Sequence, residues 1–363
     1  MSAVTVIFLV VFLGLLLGSV RFKGLSLDMA GVLIVAVLFG VIGSISPALP
    51  AFGDFFDTGN TAMNFLSALG TALFISAVGL ESGFGLFSVK KRAVPFFLLG
   101  VGGVLINYVV LLLITAFDPK IDPHFIRGVF CGAMTSTPGL ASLSEYTGET
   151  SAVVGYGGAY FLGVILVVLF AQIFSRHIDL NPPPLQESTR TFRKINGLMI
   201  VSAVIVLGCL LGEIHIPIIR FSLGNSGGIL VIGILMGVCL QKKRREGLVS
   251  KDLTASLRLL GLMLFFVGSG IPAGKQLPQG MGIQSVFYGI IFTVIPILTG
   301  FFLAMLYTRG DKKQSLCAVC GIMTSTPAIG VLLRKGYTQP EDMAIYSVTY
   351  TGALLMIVMC MRI

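Results

Sequence analysis

Charge is scarce in this chain. Only 11% of the 363 residues are Asp, Glu, Lys or Arg while 55% are hydrophobic, and the mean hydropathy is +0.95. Such a sequence has too little polar surface to face water on every side, which excludes an ordinary soluble domain. The solvent it implies is lipid. Histidine is also rare: His124, His177 and His215 all fall in segments read as loops and make no ligand set. The six cysteines (Cys131, Cys209, Cys239, Cys317, Cys320, Cys360) lie inside apolar runs and read as small hydrophobes rather than a disulfide framework. Cys317 and Cys320 have C-x-x-C spacing but no His or acidic residue beside them, so no metal and no cofactor is expected. Any coupling ion is left open. The net charge of +9 does not point to nucleic acid, because the Lys and Arg residues sit in short loops between apolar runs. There they report topology.

What is abundant is long apolar stretches and glycine, 45 residues of it, which lets membrane helices approach closely. Ala3 to Val20 has no Lys or Arg before it, unlike a cleavable leader, and reads as a first span. Further spans are predicted near 27–45, 62–80, 93–116, 151–175, 195–212, 223–240, 256–274, 281–307 and 343–361, each close to the roughly 20 residues that cross a bilayer. Two shorter pieces, Gly128 to Leu143 and Ser315 to Leu333, are interrupted by Thr-Ser-Thr-Pro.

The chain repeats itself. Cys131-Gly-Ala-Met-Thr-Ser-Thr-Pro138 recurs as Cys320-Gly-Ile-Met-Thr-Ser-Thr-Pro327. Leu69-Gly70, Leu73-Phe74, Gly79 and Gly83 recur as Leu260-Gly261, Leu264-Phe265, Gly270 and Gly274, and Gly31 to Gly40 matches Gly228 to Gly237. Tyr156 and Tyr160 match Tyr346 and Tyr350. The expected organisation is therefore a first membrane repeat (1–176), a linker (177–194) and a second membrane repeat (195–363). Repeats of this kind mark transporter architecture.

If the broken segments are re-entrant, each half crosses five times. Nineteen of the 25 Lys and Arg residues then fall on one side: those at 21 and 23, Lys90 to Arg92, Arg176 with the linker's Arg190, Arg193 and Lys194, Lys242 to Arg245 with Lys251, and those at 309, 312, 313, 334 and 335. By the positive-inside rule that side, with the linker, is cytoplasmic and both termini are periplasmic. An odd number of crossings inverts the second half relative to the first. The expected fold is thus all-α and integral to the membrane, an inverted-topology repeat of two five-span halves with about ten spans and two re-entrant segments.

Chemistry is expected at the interruptions. Proline at 138 or 327 cannot donate to the carbonyl four residues back, at Met134 or Met323, which leaves that acceptor in need of a partner. Thr137 and Thr326 precede proline and read as N-caps of restarted helices, whose positive ends suit a carboxylate. Two such segments entering from opposite faces bring Met134, Thr135, Ser136, Thr137 and Pro138 against Met323, Thr324, Ser325, Thr326 and Pro327. These ten are the expected substrate site. The plain alternative is a packed helix kinked by Ser, Thr and Pro.

The paired Gly-x-Met-Thr-Ser-Thr-Pro segments, the Leu-Gly-x-x-Leu-Phe runs and the stretches opening at Gly24-Leu25-Ser26-Leu27 and Phe221-Ser222-Leu223-Gly224 resemble the aspartate:alanine exchanger family of bacterial membrane transporters. The resemblance implies a carrier of the bacterial inner membrane that exchanges or exports amino acids or dicarboxylates. It also implies cytosolic regulatory domains between the halves, where this chain has only Ser175 to Lys194. Glu81 departs from the family pattern, which expects a neutral polar residue there.

Four further residues are candidate coupling or polar-site groups: Glu81, Asn107, Tyr156 and Tyr346. Glu81 either pairs with the Lys90–Arg92 cluster or carries a coupling proton, and Asn107 is either interhelical glue or a ligand. Arg258, near the end of its span, is expected to snorkel to the headgroups. The expected function is secondary active transport, by exchange or export, of a small carboxylate-bearing or zwitterionic metabolite by alternating access, with the bilayer and, by analogy with other carriers, a second copy in a homodimer as partners. A channel with duplicated pore segments is the alternative. A hydrolase is disfavoured because neither Ser-Thr cluster has a base beside it.

Overall fold

A computed structural model of the chain describes residues 3–22, 25–26, 29–45, 61–88, 93–175, 194–216, 221–243, 248–275, 281–325, 328–329, 332 and 340–363. The first half contains α1 (Ala3–Ser19), α2 (Ala30–Ile45), α3 (Thr61–Ser88), α4 (Ala93–Phe117), α5 (Pro123–Ala133), α6 (Thr137–Thr147) and α7 (Ser151–Phe174). The second contains α8 (Lys194–Gly212), α9 (Gly224–Lys242), α10 (Lys251–Lys275), α11 (Met281–Tyr307), α12 (Lys312–Ile322) and α13 (Pro340–Cys360). Almost all of the linker expected at 177–194 lies outside the described residues, as do Thr326, Pro327 and Lys90 to Arg92.

Among the described residues six helices, α3, α4, α7, α9, α10 and α11, are long and apolar enough to cross a membrane, and four shorter apolar helices lie in α1, α2, α8 and α13. This is a multi-pass helical membrane protein. Large apolar side chains point outward along these helices, Phe8, Phe65, Leu98, Leu113, Phe287 and Phe302 among them, as lipid-facing surfaces require. Two small departures from an all-helical chain occur at equivalent places. Strand β1 (Arg21–Phe22) pairs antiparallel with β2 (Leu25–Ser26) between α1 and α2, and β3 (His215–Ile216) with β4 (Phe221–Ser222) between α8 and α9. Two-residue hairpins leave no hydropathy signal.

The duplication is visible in the packing. α1 lies on α2 as α8 lies on α9; α3 packs on α9 as α10 packs on α2; α4 packs on α13 as α11 packs on α7. The closest approaches use paired glycines. A Cβ on Gly83 would overlap the Ile234 carbonyl beside Gly237, and a Cβ on Gly274 would overlap the Val37 carbonyl beside Gly40. With no water to compete, van der Waals contact at such small residues is what holds membrane helices together. These packings sort the helices into two groups. One comprises α1, α2, α3, α8, α9 and α10; the other comprises α4 to α7 with α11, α12 and α13.

Candidate functional site

Each interruption is built by the same local chemistry. Helix α5 ends at Ala133, and Thr135 takes a left-handed conformation at φ 51°; its N–H donates to Gly132 O at 2.9 Å and that of Ser136 to Cys131 O at 2.8 Å. In the second half Thr324 has φ 47°, its N–H donates to Gly321 O at 2.9 Å, and that of Ser325 donates to Cys320 O at 3.0 Å. This pair of bonds is the Schellman ending of a helix, where glycine usually occupies the left-handed position. A β-branched residue there is strained.

The strain is accompanied by a contact between the halves. Thr135 Oγ1 donates to the carbonyl of Met323 at 2.7 Å, and Thr324 Oγ1 donates to the carbonyl of Met134 at 2.8 Å. The carbonyls of Met134 and Met323, at the two helix breaks, are thus satisfied reciprocally, each by the other half. The tips meet, as the sequence predicts.

The expected capping residue is wrong by one. Ser136, not Thr137, is the N-cap of α6: its Oγ accepts from Gly139 N at 3.3 Å, and proline takes the second helical position. Ser325 Oγ accepts likewise from Ala328 N at 3.3 Å. The reason is geometric, because the sharp turn at Thr135 puts Ser136 in extended backbone with its oxygen over the new helix end. Thr137 Oγ1 is free of capping and instead lies 2.7 Å from the Tyr156 hydroxyl. The expected equivalent, Thr326, lies outside the described residues, with Pro327.

A cavity of about 110 Å³ opens beside the tips. Thr135, Thr137, Pro138, Thr324, Tyr160 and Tyr350 line it from one helix group, and Met29, Phe74, Val78, Arg258, Leu259 and Leu262 from the other. It therefore lies where the two groups meet. Ser136, Ser325, Met134 and Met323 are fully buried and are not among the lining residues. Tyr156 is buried too, stacked 5.0 Å from Tyr160, and Tyr346 lies 5.6 Å from the ring of Tyr350. The tyrosine one turn beyond each expected candidate is the one that reaches the cavity.

Arg258 has a partner that its sequence position does not reveal. It does not stand alone near a headgroup: its Nη1 is 3.1 Å from Glu81 Oε2, and it lines the cavity. Asn107 is buried behind the tips, donating to Phe292 O at 2.9 Å and to Met134 Sδ at 3.1 Å. The ring of Phe130 packs there against Tyr108 and Phe292, so Asn107 ties α4 to α11 and to the end of α5. His124 lies in the first turn of α5 rather than in a loop, behind the cap made by Asp122.

A helical membrane protein whose two broken segments meet at a cavity between helix groups has the build of a permease. The comparisons agree. The family model Asp-Al_Ex, described as "Predicted Permease Membrane Region", matches residues 6–176 and 200–363, and the chain belongs to this family. Its relatives include an "Uncharacterized transporter" of Bacteroides thetaiotaomicron, 36% identical over 179 residues, which are 48% of this chain and 30% of the relative. A second, from Desulfotalea psychrophila, is 31% identical over 50% of this chain and 30% of its own length. A third, from Symbiobacterium thermophilum, is 37% identical over 46% and 30%. The matched stretch thus spans under a third of each of these relatives. The family membership makes this chain a membrane region of the kind that model describes.

Proposed function

We propose that this protein is a secondary active transporter, an exchanger or exporter, of a small carboxylate-bearing metabolite such as an amino acid or dicarboxylate, working by alternating access in a bacterial inner membrane. The observation that carries the reading is the pair of Thr135–Met323 and Thr324–Met134 hydrogen bonds, which join two equivalent broken segments at the wall of a cavity between two helix groups. Discontinuous helices that meet between repeats are where carriers of duplicated architecture hold substrate. A carboxylate is favoured because the positive end of α6 and the side chain of Arg258 both face the cavity.

In the proposed topology each half crosses five times, inverted relative to the other, with both broken segments re-entrant. Several contacts support it. α5 runs alongside α7 in the same direction: Gly128 is against Ala152, Gly132 against Tyr156 and Tyr160, and Ala133 against Gly163. Only Gly148, Glu149 and Thr150 separate α6 from α7, so α6 has to return to the face where α5 entered. In the second half Lys313 pairs with Asp342 at 2.8 Å near the starts of α12 and α13, while Gly321 lies on Tyr346 and Tyr350 further along. Again the two run in parallel. The linker face is cytoplasmic in this reading, from the distribution of Lys and Arg.

The test is counterflow. Purified protein in liposomes loaded with L-aspartate, L-alanine, succinate or a cationic amine is given a trace of the same labelled compound outside. Transient accumulation with one of the carboxylate-bearing compounds is expected. Flux without counterflow would mean a channel, and counterflow with the cationic amine alone would overturn the carboxylate reading.

A further inference from the structure

Among the described residues that line the cavity, one is charged: Arg258. Its partner Glu81 is not part of the lining, so the pair presents its positive end to the cavity. The two side chains are 32% and 34% exposed, which leaves the guanidinium reachable rather than sealed. An ion pair on helices that face lipid is expensive to keep for stability alone and marks a functional position by default. The hydroxyls of Thr135 and Thr324 at the tips carry no charge and do not compete with Arg258 for an anion. The hydroxyl protons of Thr135 and Thr324 are already donated to the Met323 and Met134 carbonyls, so toward the cavity these oxygens offer lone pairs only. A ligand's anionic group finds its charge partner at Arg258.

The pair is also lopsided with respect to the duplication. The register that aligns Leu260-Gly261 with Leu69-Gly70 puts Ser67 at the place of Arg258, and the one that aligns Gly270 with Gly79 puts Pro272 at the place of Glu81. The tips, the glycine contacts and the hairpins all repeat; this charge does not. Arg258 lies seven residues after Lys251 at the start of α10, and Glu81 seven residues before Ser88 at the end of α3. At about 1.5 Å per residue both are about 10 Å from the same end of their helices, the linker face in the proposed topology. The tips lie about 16 Å along the 11-residue helices α5 and α12.

We propose that Arg258 is an anion-capturing residue serving one face of the carrier only, the linker face, with Glu81 as a resident carboxylate that holds the guanidinium until a ligand's anionic group takes its place. This rests on the transport reading above for its biological meaning and on the proposed topology for its sidedness. It makes the two directions of an otherwise duplicated carrier unequal: selection for anions acts on entry from the linker face and is missing from the opposite entry.

The test measures charge selection chemically, so it does not depend on the substrate. In full-length protein with its native cysteines replaced, Leu262→Cys on the cavity wall is modified in sealed vesicles of either orientation. The reagents are the anionic sulfonatoethyl and the cationic trimethylammonioethyl methanethiosulfonates. From the linker face, Arg258→Gln is expected to lower the anionic-to-cationic rate ratio by about a hundredfold, since one charge at roughly 12 Å with an effective dielectric of about 20 changes each rate about tenfold in opposite directions. Glu81→Gln is expected to raise it, and Arg258→Lys to retain it. Because Glu81→Gln shifts the ratio in the opposite direction, it carries the test if Arg258→Gln yields no folded protein. A ratio indifferent to the changes at both 81 and 258 overturns the proposal, as does equal charge dependence from the opposite face. Counterflow failing while these ratios shift would remove the carrier reading and leave the anion site; the converse would remove the site alone.

Discussion

Replacing the two left-handed threonines by valine and by glycine separates the cost of their backbone from the worth of their hydroxyls. Thr135 and Thr324 stand at φ 51° and 47°, where an L-residue is strained by about 1–2 kcal/mol. Their hydroxyls satisfy the Met323 and Met134 carbonyls at 2.7 and 2.8 Å in a buried setting, and losing such a donor costs about 1–3 kcal/mol. Valine keeps the strain and loses the bond, so Thr135→Val and Thr324→Val are each expected to lose about 1–3 kcal/mol. Glycine loses the bond and relieves the strain; about 1–2 kcal/mol of the loss is recovered, leaving Thr135→Gly and Thr324→Gly close to the parent protein. Serine keeps the bond and is the mildest change. The near-isosteric substitution is thus expected to be the more damaging, the reverse of what packing alone predicts. Thermal unfolding of the purified protein in detergent, followed by loss of the monodisperse peak, gives the order. Counterflow on the same samples is expected to fail for glycine at either position even where stability is near normal, because the tips are no longer tied. Valine variants as stable as the parent, or glycine variants less stable than valine at both positions, would refute the reasoning.

Ser136→Ala and Ser325→Ala each remove a cap and are expected to cost about 1 kcal/mol, visible as a lowered midpoint in the same melt. Thr137→Val and Tyr156→Phe break one hydrogen bond from its two ends, so their effects on stability are expected to be non-additive, and additive losses would show that the 2.7 Å contact contributes nothing. Gly274→Val sets a side chain into the Val37 carbonyl where α10 meets α2, and little folded protein is expected on a fluorescence-detected sizing column; normal yield would argue against that close approach. A cysteine at Ser188 in a version free of the native cysteines is expected to resist an impermeant maleimide applied to intact cells and to react after lysis, since the linker belongs to the positively charged face. Labelling from outside would invert the topology.

Much of this protein is written in local sequence. Hydrophobic runs place most of the helix ends to within about three residues because burial in lipid is a property of each segment by itself, while α3 runs eight residues past its expected end and α10 starts five residues early. The repeated Met-Thr-Ser-Thr-Pro motif marks both interruptions because proline removes a donor wherever it stands. The duplication also presents the two interruptions as equivalent segments, and the structure joins them through Thr135 and Thr324. What local sequence does not carry is which atom meets which. The Thr135–Met323 and Thr324–Met134 bonds join residues 188 and 190 positions apart, and the Glu81–Arg258 pair spans 177. Serine takes the cap from threonine only because the preceding turn is left-handed, a conformation that threonine's own propensity opposes. Arg258 meets Glu81 and lines the cavity because α3 and α10 cross at Gly70 and Gly261. Those pairings are decided by how the helices pack, and a chain read one segment at a time contains no record of its neighbours.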